Sequence, residues 1–182
     1  MEIEIKARLT NKAAVMEKLR ALGCVFPEPK VQDDTVFAEK TGSLKVFLSN
    51  DVFLRIRIQN GSTVILTAKK PKAKSGRSGL VKHEYEIVAD SADQARGMLA
   101  LMGFEEQVRT IKTRMTSAYN GYEICIDDVK GLGLFIELEK MGDAKQAPRI
   151  QKEMADFLAT LNISPNDFVN KGYDILGLEK QK

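Results

Sequence analysis

Histidine and cysteine are nearly absent from this chain of 182 residues: His83 is the only imidazole, and Cys24 and Cys125 are the only thiols. Two cysteines far apart in sequence, with no partners at metal-ligand spacing, argue against a disulfide framework or a zinc site and predict two buried free thiols. Long hydrophobic runs are lacking too, and nothing approaches the roughly 20 apolar residues of a membrane span. The amino terminus reads Glu2-Ile3-Glu4-Ile5-Lys6, without the apolar run of a secretory signal, so a cytoplasmic protein is expected. Nor does charge of one sign dominate: a net +3 is too small a basic balance to announce a nucleic-acid partner. What remains, 43% hydrophobic and 29% charged residues, is the composition of a soluble globular protein, and the length suits one domain better than two.

Residues 2 to 9 alternate strictly, with Ile3, Ile5, Ala7 and Leu9 on one face and Glu2, Glu4, Lys6 and Arg8 on the other, which predicts a strand. Thr10 or Asn11 can cap a following helix in which Val15, Leu19 and Leu22 recur, and Gly23 supplies its stop. A second helix is expected from Asp90 or Ser91 to Gly103, with Ser91 and Gln94 spaced as a capping box. A third runs from about Pro148 through Leu161 and ends before Pro165. Strand-like runs cover Val52 to Gln59, Thr63 to Lys69, Val81 to Val88, Ile111 to Tyr119, Gly121 to Asp127 and Leu134 to Lys140. The strand at Glu2 with its helix resembles the strand at Glu84 with its helix, an offset that suggests a loose internal duplication of about 1–80 and 81–182 within one domain.

Charge follows the strands. Arg55 and Arg57 alternate with Leu54, Ile56 and Ile58; Lys82, Glu84 and Glu86 alternate with His83, Tyr85 and Ile87. Lys112 and Arg114, Asp127, and Glu137 and Glu139 obey the same rule. A single strand of this kind would be an ordinary half-solvated one. Paired Glu-x-Glu and Arg-x-Arg in nearly every strand instead suggest a closed barrel whose outside packs on helices and whose lumen carries the charges. Lys6, Arg55, Arg57, Lys69, Lys82, Lys112 and Arg114 call for a compact polyanion, and guanidinium suits phosphate oxygens. Glu2, Glu4, Glu84, Glu86, Asp127, Glu137 and Glu139 would repel it; they make sense as ligands of Mg²⁺ or Mn²⁺, hard cations that bridge carboxylate and phosphate oxygens. The alternative is mutual salt bridging with no ligand, which contributes little net stability when buried.

Glu2-x-Glu4-x-Lys6, Leu54-Arg55-x-Arg57, Leu66-Thr67-x-Lys69, Glu84-x-Glu86, Lys112-x-Arg114, and Asp127 through Gly131-Leu132-Gly133 to Glu137-x-Glu139 together resemble the CYTH superfamily of triphosphate tunnel metalloenzymes. Within it, the chain is most similar to the branch named after class IV adenylyl cyclases. The resemblance implies an α+β fold: a closed eight-stranded antiparallel β-barrel with helices packed outside. It implies Glu2, Glu4, Glu137 and Glu139 as leading metal ligands, supported by Glu84, Glu86 and Asp127. Lys6, Arg55, Arg57, Lys69, Lys112 and Arg114 would bind phosphate, with Lys82 in place of a frequent arginine. Near the carboxy terminus Lys171-Gly172-Tyr173 resembles a basic-Ser-Tyr segment, departing from it at Gly172, and adds Lys171 to the phosphate set. Glu4, Lys69, Lys112 and Asp127 are the implied catalytic residues.

The basic connection Lys70 to Val81 could order over phosphates as a lid or be a plain exposed loop, and His83 is expected in the barrel wall. Two reactions suit such a tunnel: cyclisation of ATP to cyclic AMP and pyrophosphate, or hydrolysis of inorganic triphosphate, thiamine triphosphate or a nucleotide. A non-catalytic module for polyphosphate or an RNA 5′-triphosphate would need the basic residues but gain nothing from the carboxylates. The exterior leaves room for a homodimer without requiring one, and no membrane partner is expected.

Overall fold

The computed structural model describes residues 2–39, 53–71 and 82–180. The alternating amino-terminal segment is strand β1 (Glu2–Arg8), followed by helix α1 (Lys12–Ala21), β2 (Lys30–Glu39), β3 (Phe53–Gln59), β4 (Thr63–Pro71) and β5 (Lys82–Ala89). Helix α2 (Ala92–Leu101), β6 (Phe104–Tyr119), β7 (Tyr122–Val129), β8 (Gly133–Met141), α3 (Ala147–Thr160) and α4 (Tyr173–Lys180) complete the chain. The caps are local. Asn11 accepts from the Ala14 N–H at 3.0 Å and Ser91 from the Gln94 N–H at 3.3 Å, satisfying amides that the first turn leaves unpaired. Gly23 and Gly103 then end α1 and α2 at φ +88° and +86°, a conformation side chains resist.

The strands are hydrogen-bonded in the order β1-β8-β7-β6-β2-β3-β4-β5, an antiparallel eight-stranded sheet in an α+β protein. Its ends are β1 and β5. No ladder joins them among the described residues, so the expected closure into a barrel is not part of the described pairing. Two elements were not anticipated, β2 and α4, and β6 begins seven residues before the expected Ile111. In β2 the burial runs unbroken from Asp34 to Ala38, which erases the alternation that marks a half-buried strand. Among the described residues no helix is long and apolar enough to cross a membrane.

Contacts divide the chain into two units, residues 1–29 with 113–170 and residues 30–112 with 171–182. Each contains one strand–helix pair of the proposed duplication, β1 with α1 and β5 with α2. In the first unit Ile3, Ala7, Ile124, Ile126, Ile136 and Leu138 form the apolar face of the sheet, covered by Leu19 of α1 and by Ile150, Met154 and Leu158 of α3. In the second, α2 buries Ala95 and Leu99 against Phe37, Ile56 and Val64, while Leu178 of α4 packs on Val36, Ala38 and Val108. Leu158 has no exposed surface. Its replacement by alanine should cost about 2–5 kcal/mol, read as a fall in melting temperature of about 2–4 °C per kcal/mol.

Candidate functional site

Because side chains alternate along a strand, packing one face on helices leaves the charged residues together on the other. In the first unit the β1–β8 register sets Glu4 opposite Glu139 and Lys6 opposite Glu137, and the β7–β8 register sets Glu123 opposite Glu139 and Cys125 opposite Glu137. Carboxylate oxygens of Glu2, Glu4 and Glu139 lie within 4.8 Å of one another. Burial, and then the negative charges of Glu137, Glu2 and Glu4, raise the Glu139 carboxyl to about 8, against the pull of Arg114. An open cavity of about 470 Å³ beside these acids is lined by Glu2, Gly121, Glu123, Glu139, Lys140 and Met141.

Two residues along β8, the environment reverses. Glu137 bonds Lys6 Nζ at 2.9 Å and also pairs with Arg114 Nη2. Arg114 in turn donates from Nε and Nη2 to the two oxygens of Asp127 at 2.7 and 2.5 Å and stands 3.7 Å from Glu139. Burial opposes the charge on Arg114, but Glu137 and Asp127 outweigh it and hold the guanidinium pKa well above its usual value. Of the expected metal ligands, the structure therefore brings Glu2, Glu4 and Glu139 together. Glu137 is placed between two cations, and the fully buried Asp127 is placed on Arg114. Glu123 and Cys125 join Glu139 in a second group of donor atoms within 4.8 Å. Both cysteines are buried free thiols, as expected, and burial pushes the Cys125 thiol far up despite Arg114.

The second unit has its own charged face. Arg57 donates from Nε and Nη2 to Asp34 at 2.7 and 2.9 Å. Arg55 Nη2 reaches both the Thr67 hydroxyl and Glu86 at 3.1 Å, and that hydroxyl donates to Glu86 at 2.8 Å. Lys69 pairs with Glu84 at 2.7 Å, and Lys112 Nζ stands 4.9 Å above the Tyr173 ring. Burial works against the Asp34 charge, yet Arg57, Arg55 and Lys112 hold its carboxyl below the usual value; burial lowers Arg55, with Asp34 and Glu86 opposing. Burial likewise works against Glu86, which the Thr67 hydroxyl and then Arg55 and Arg57 hold low. Glu84 and Glu86 are thus placed against Lys69 and Arg55, and belong to no group of three close donors among the described residues.

Lys171 is exposed and bonds Glu179 across α4 at 2.7 Å. A Cβ at Gly172 would stand 2.2 Å from Asp174 Oδ1, so a side chain there requires Asp174 to shift. The Lys82 and His83 side chains and residues 72–81 of the basic connection lie outside the described residues. Asp34 and Glu123 are the charged groups that sequence reasoning missed. Glu123 shares the alternation of Cys125 and Asp127 and could have been found by it; Asp34 lay hidden with its strand.

Cations and clustered carboxylates that share the strand faces of an antiparallel sheet are the pattern expected of a protein that handles phosphates together with a metal. The CYTH domain matches residues 1–173, and the chain belongs to the CYTH family. A protein of Methanocaldococcus jannaschii that carries the name "Putative adenylate cyclase" is 34% identical over 174 residues, covering 95% of this chain and 96% of the relative. Among solved structures, the PH1819 protein of Pyrococcus horikoshii superposes with a TM-score of 0.81 at 28% identity over 99% of both chains. A Hippeastrum adenylyl cyclase homologue, described as revealing a dominant triphosphatase activity, has the same fold at a TM-score of 0.63 and 21% identity, covering 94% of this chain and 91% of its own.

Proposed function

We propose that this chain is a metal-dependent triphosphatase, acting on a triphosphate held by strand-borne cations. The observation that carries the reading is the convergence of Glu2, Glu4 and Glu139 within 4.8 Å on the sheet face that also bears Lys6 and Arg114. An all-oxygen donor set of half-buried carboxylates fits Mg²⁺ or Mn²⁺, and would hold either ion there. When bound, such an ion supplies Lewis-acid stabilisation of phosphate charge and a more acidic attacking oxygen. Lys6 and Arg114 would neutralise charge on the transferring group, with Arg114 aimed by Asp127. Arg55, Arg57, Lys69 and Lys112, joined by Lys82 on the strength of the resemblance, would grip the phosphate chain.

Cyclisation is the second reading, favoured by the name of the 34% identical relative. There the 3′-hydroxyl of ATP attacks the phosphorus nearest the ribose and pyrophosphate leaves, and the grip on the phosphates is unchanged. Incubation with Mg²⁺ or Mn²⁺ and tripolyphosphate, thiamine triphosphate or ATP, with chromatography of the products, separates the two. Orthophosphate is expected. Cyclic AMP with pyrophosphate would establish the cyclase, and no turnover of any triphosphate would leave a binding module.

A further inference from the structure

Asp34 is more buried than Glu84 and Glu86, the acids that pair with Lys69 and Arg55. Its side chain is 11% exposed, against 24% for Glu84 and 44% for Glu86. Glu84 meets Lys69, and Glu86 meets Arg55 and Thr67 at the more open side of the strands. Asp34 closes both oxygens on the Arg57 fork and stands 3.7 Å from Arg55 Nη1, and its charge also acts on Lys112. A single buried carboxylate thus serves three cations, one of which, Arg55, also meets Glu86. A buried pair of this kind adds little net stability, since desolvation offsets most of the attraction. Its clearest physical consequence is geometric: with Nε and Nη2 both held, the plane of the Arg57 guanidinium is fixed.

A carboxylate on the Nε and Nη2 edge of the guanidinium also partly neutralises the charge that would draw a phosphoryl oxygen to its remaining N–H groups. A monoanionic or dianionic phosphate must compete with that internal partner. A longer polyanion reaches several cations at once and offsets the competition by contact number. We propose that Asp34 is a positioning residue of the phosphate-binding face: its carboxylate fixes the Arg57 fork and, as internal counterion to Arg57, Arg55 and Lys112, favours a triphosphate over orthophosphate. This rests on the reading of these cations as triphosphate ligands.

The test uses the whole chain as wild type, Asp34→Asn and Asp34→Glu. Calorimetric titration with orthophosphate and with tripolyphosphate is carried out in EDTA, and tripolyphosphate turnover is followed with Mn²⁺. Removing the charge in Asp34→Asn should tighten orthophosphate binding by about tenfold, because one negative charge facing the three cations is gone. The same change should lower kcat by about tenfold or more with KM little altered, because the fork is no longer held. Asp34→Glu keeps the charge but displaces the fork by on the order of 1 Å, so it should bind orthophosphate like wild type and still lose kcat. A purely structural role would instead weaken binding and turnover together with the folded fraction, and that result overturns the inference. If Asp34→Asn does not fold, Asp34→Glu decides alone, and wild-type kcat in it overturns the inference. Wild-type protein that neither binds nor turns over tripolyphosphate overturns the triphosphatase reading and this inference with it. Normal wild-type turnover with unaltered variants overturns this inference only.

Discussion

Replacing Glu139 by glutamine will stabilise the metal-free protein at pH 8 and abolish the metal-dependent activity proposed for it. Glu139 faces Glu2 and Glu4 and is raised from an ordinary carboxyl value of 4.5 to about 8 by burial and by neighbouring acids. The sign follows from linkage. A carboxyl raised on folding binds its proton more tightly in the native state, so its contribution to stability is complete below pH 4.5 and is lost as pH rises to about 8. In EDTA the wild type should therefore lose stability across that window, and Glu139→Gln should not. At pH 8 the variant should gain on the order of 2 kcal/mol, or about 4–8 °C in melting temperature. Turnover should fall by at least about 100-fold, because in the proposed metal site a ligand oxygen has been replaced by an amide. Unchanged turnover would remove Glu139 from the site.

Glu137 is two residues away on the same strand and should respond in the opposite sense. Its oxygens are taken by Lys6 and Arg114, both largely buried. Glu137→Gln leaves those cations short of a partner and should cost on the order of 3 kcal/mol, with a melting temperature lowered at pH 8. Were both glutamates metal ligands of one kind, the two variants would shift together. Divergence in sign is the outcome expected from the structure, read by thermal melts of the two proteins side by side in EDTA.

The second large effect belongs to Arg114. It is the counter-charge of Asp127, which has no exposed surface, and of Glu137, and it approaches Glu139 at 3.7 Å. Arg114→Ala leaves two buried carboxylates without their guanidinium and should destabilise the protein by about 3–5 kcal/mol. Arg114→Lys restores a positive charge and should recover part of that loss. It cannot restore the fork that meets both Asp127 oxygens, so turnover should stay down by about 100-fold even where stability is partly regained. Melting curves and steady-state rates for the two variants separate the charge from its geometry. Full activity in Arg114→Lys would show that only the charge matters.

Much of this molecule was legible residue by residue. Period-two alternation placed β1, β3, β4 and β8 to within a residue or two, because each has one face on an apolar core. Asn11, Ser91 and Pro148 marked helix starts, since capping depends on groups within a single turn. The same alternation put the charged residues on a common face, and the order of the motifs brought the CYTH family into view.

Local pattern could not reach β2. Its residues from Asp34 to Ala38 are buried without interruption, and Asp33-Asp34 reads as a polar break rather than a strand that supplies a buried counterion. Nor could it distinguish Glu137 from Glu139. They stand on one face of β8 with the same side chain, and only the register with β1 and β7 gives one of them Lys6 and the other Glu4 and Glu123. Strand by strand, then, the sequence by itself determined which faces are apolar and which carry charge, because that depends on spacing along the chain. Tertiary structure alone decided which acids are paired and which crowd together. A carboxylate's state is set by the charges within a few ångströms, and in a sheet those come from neighbouring strands far away in sequence.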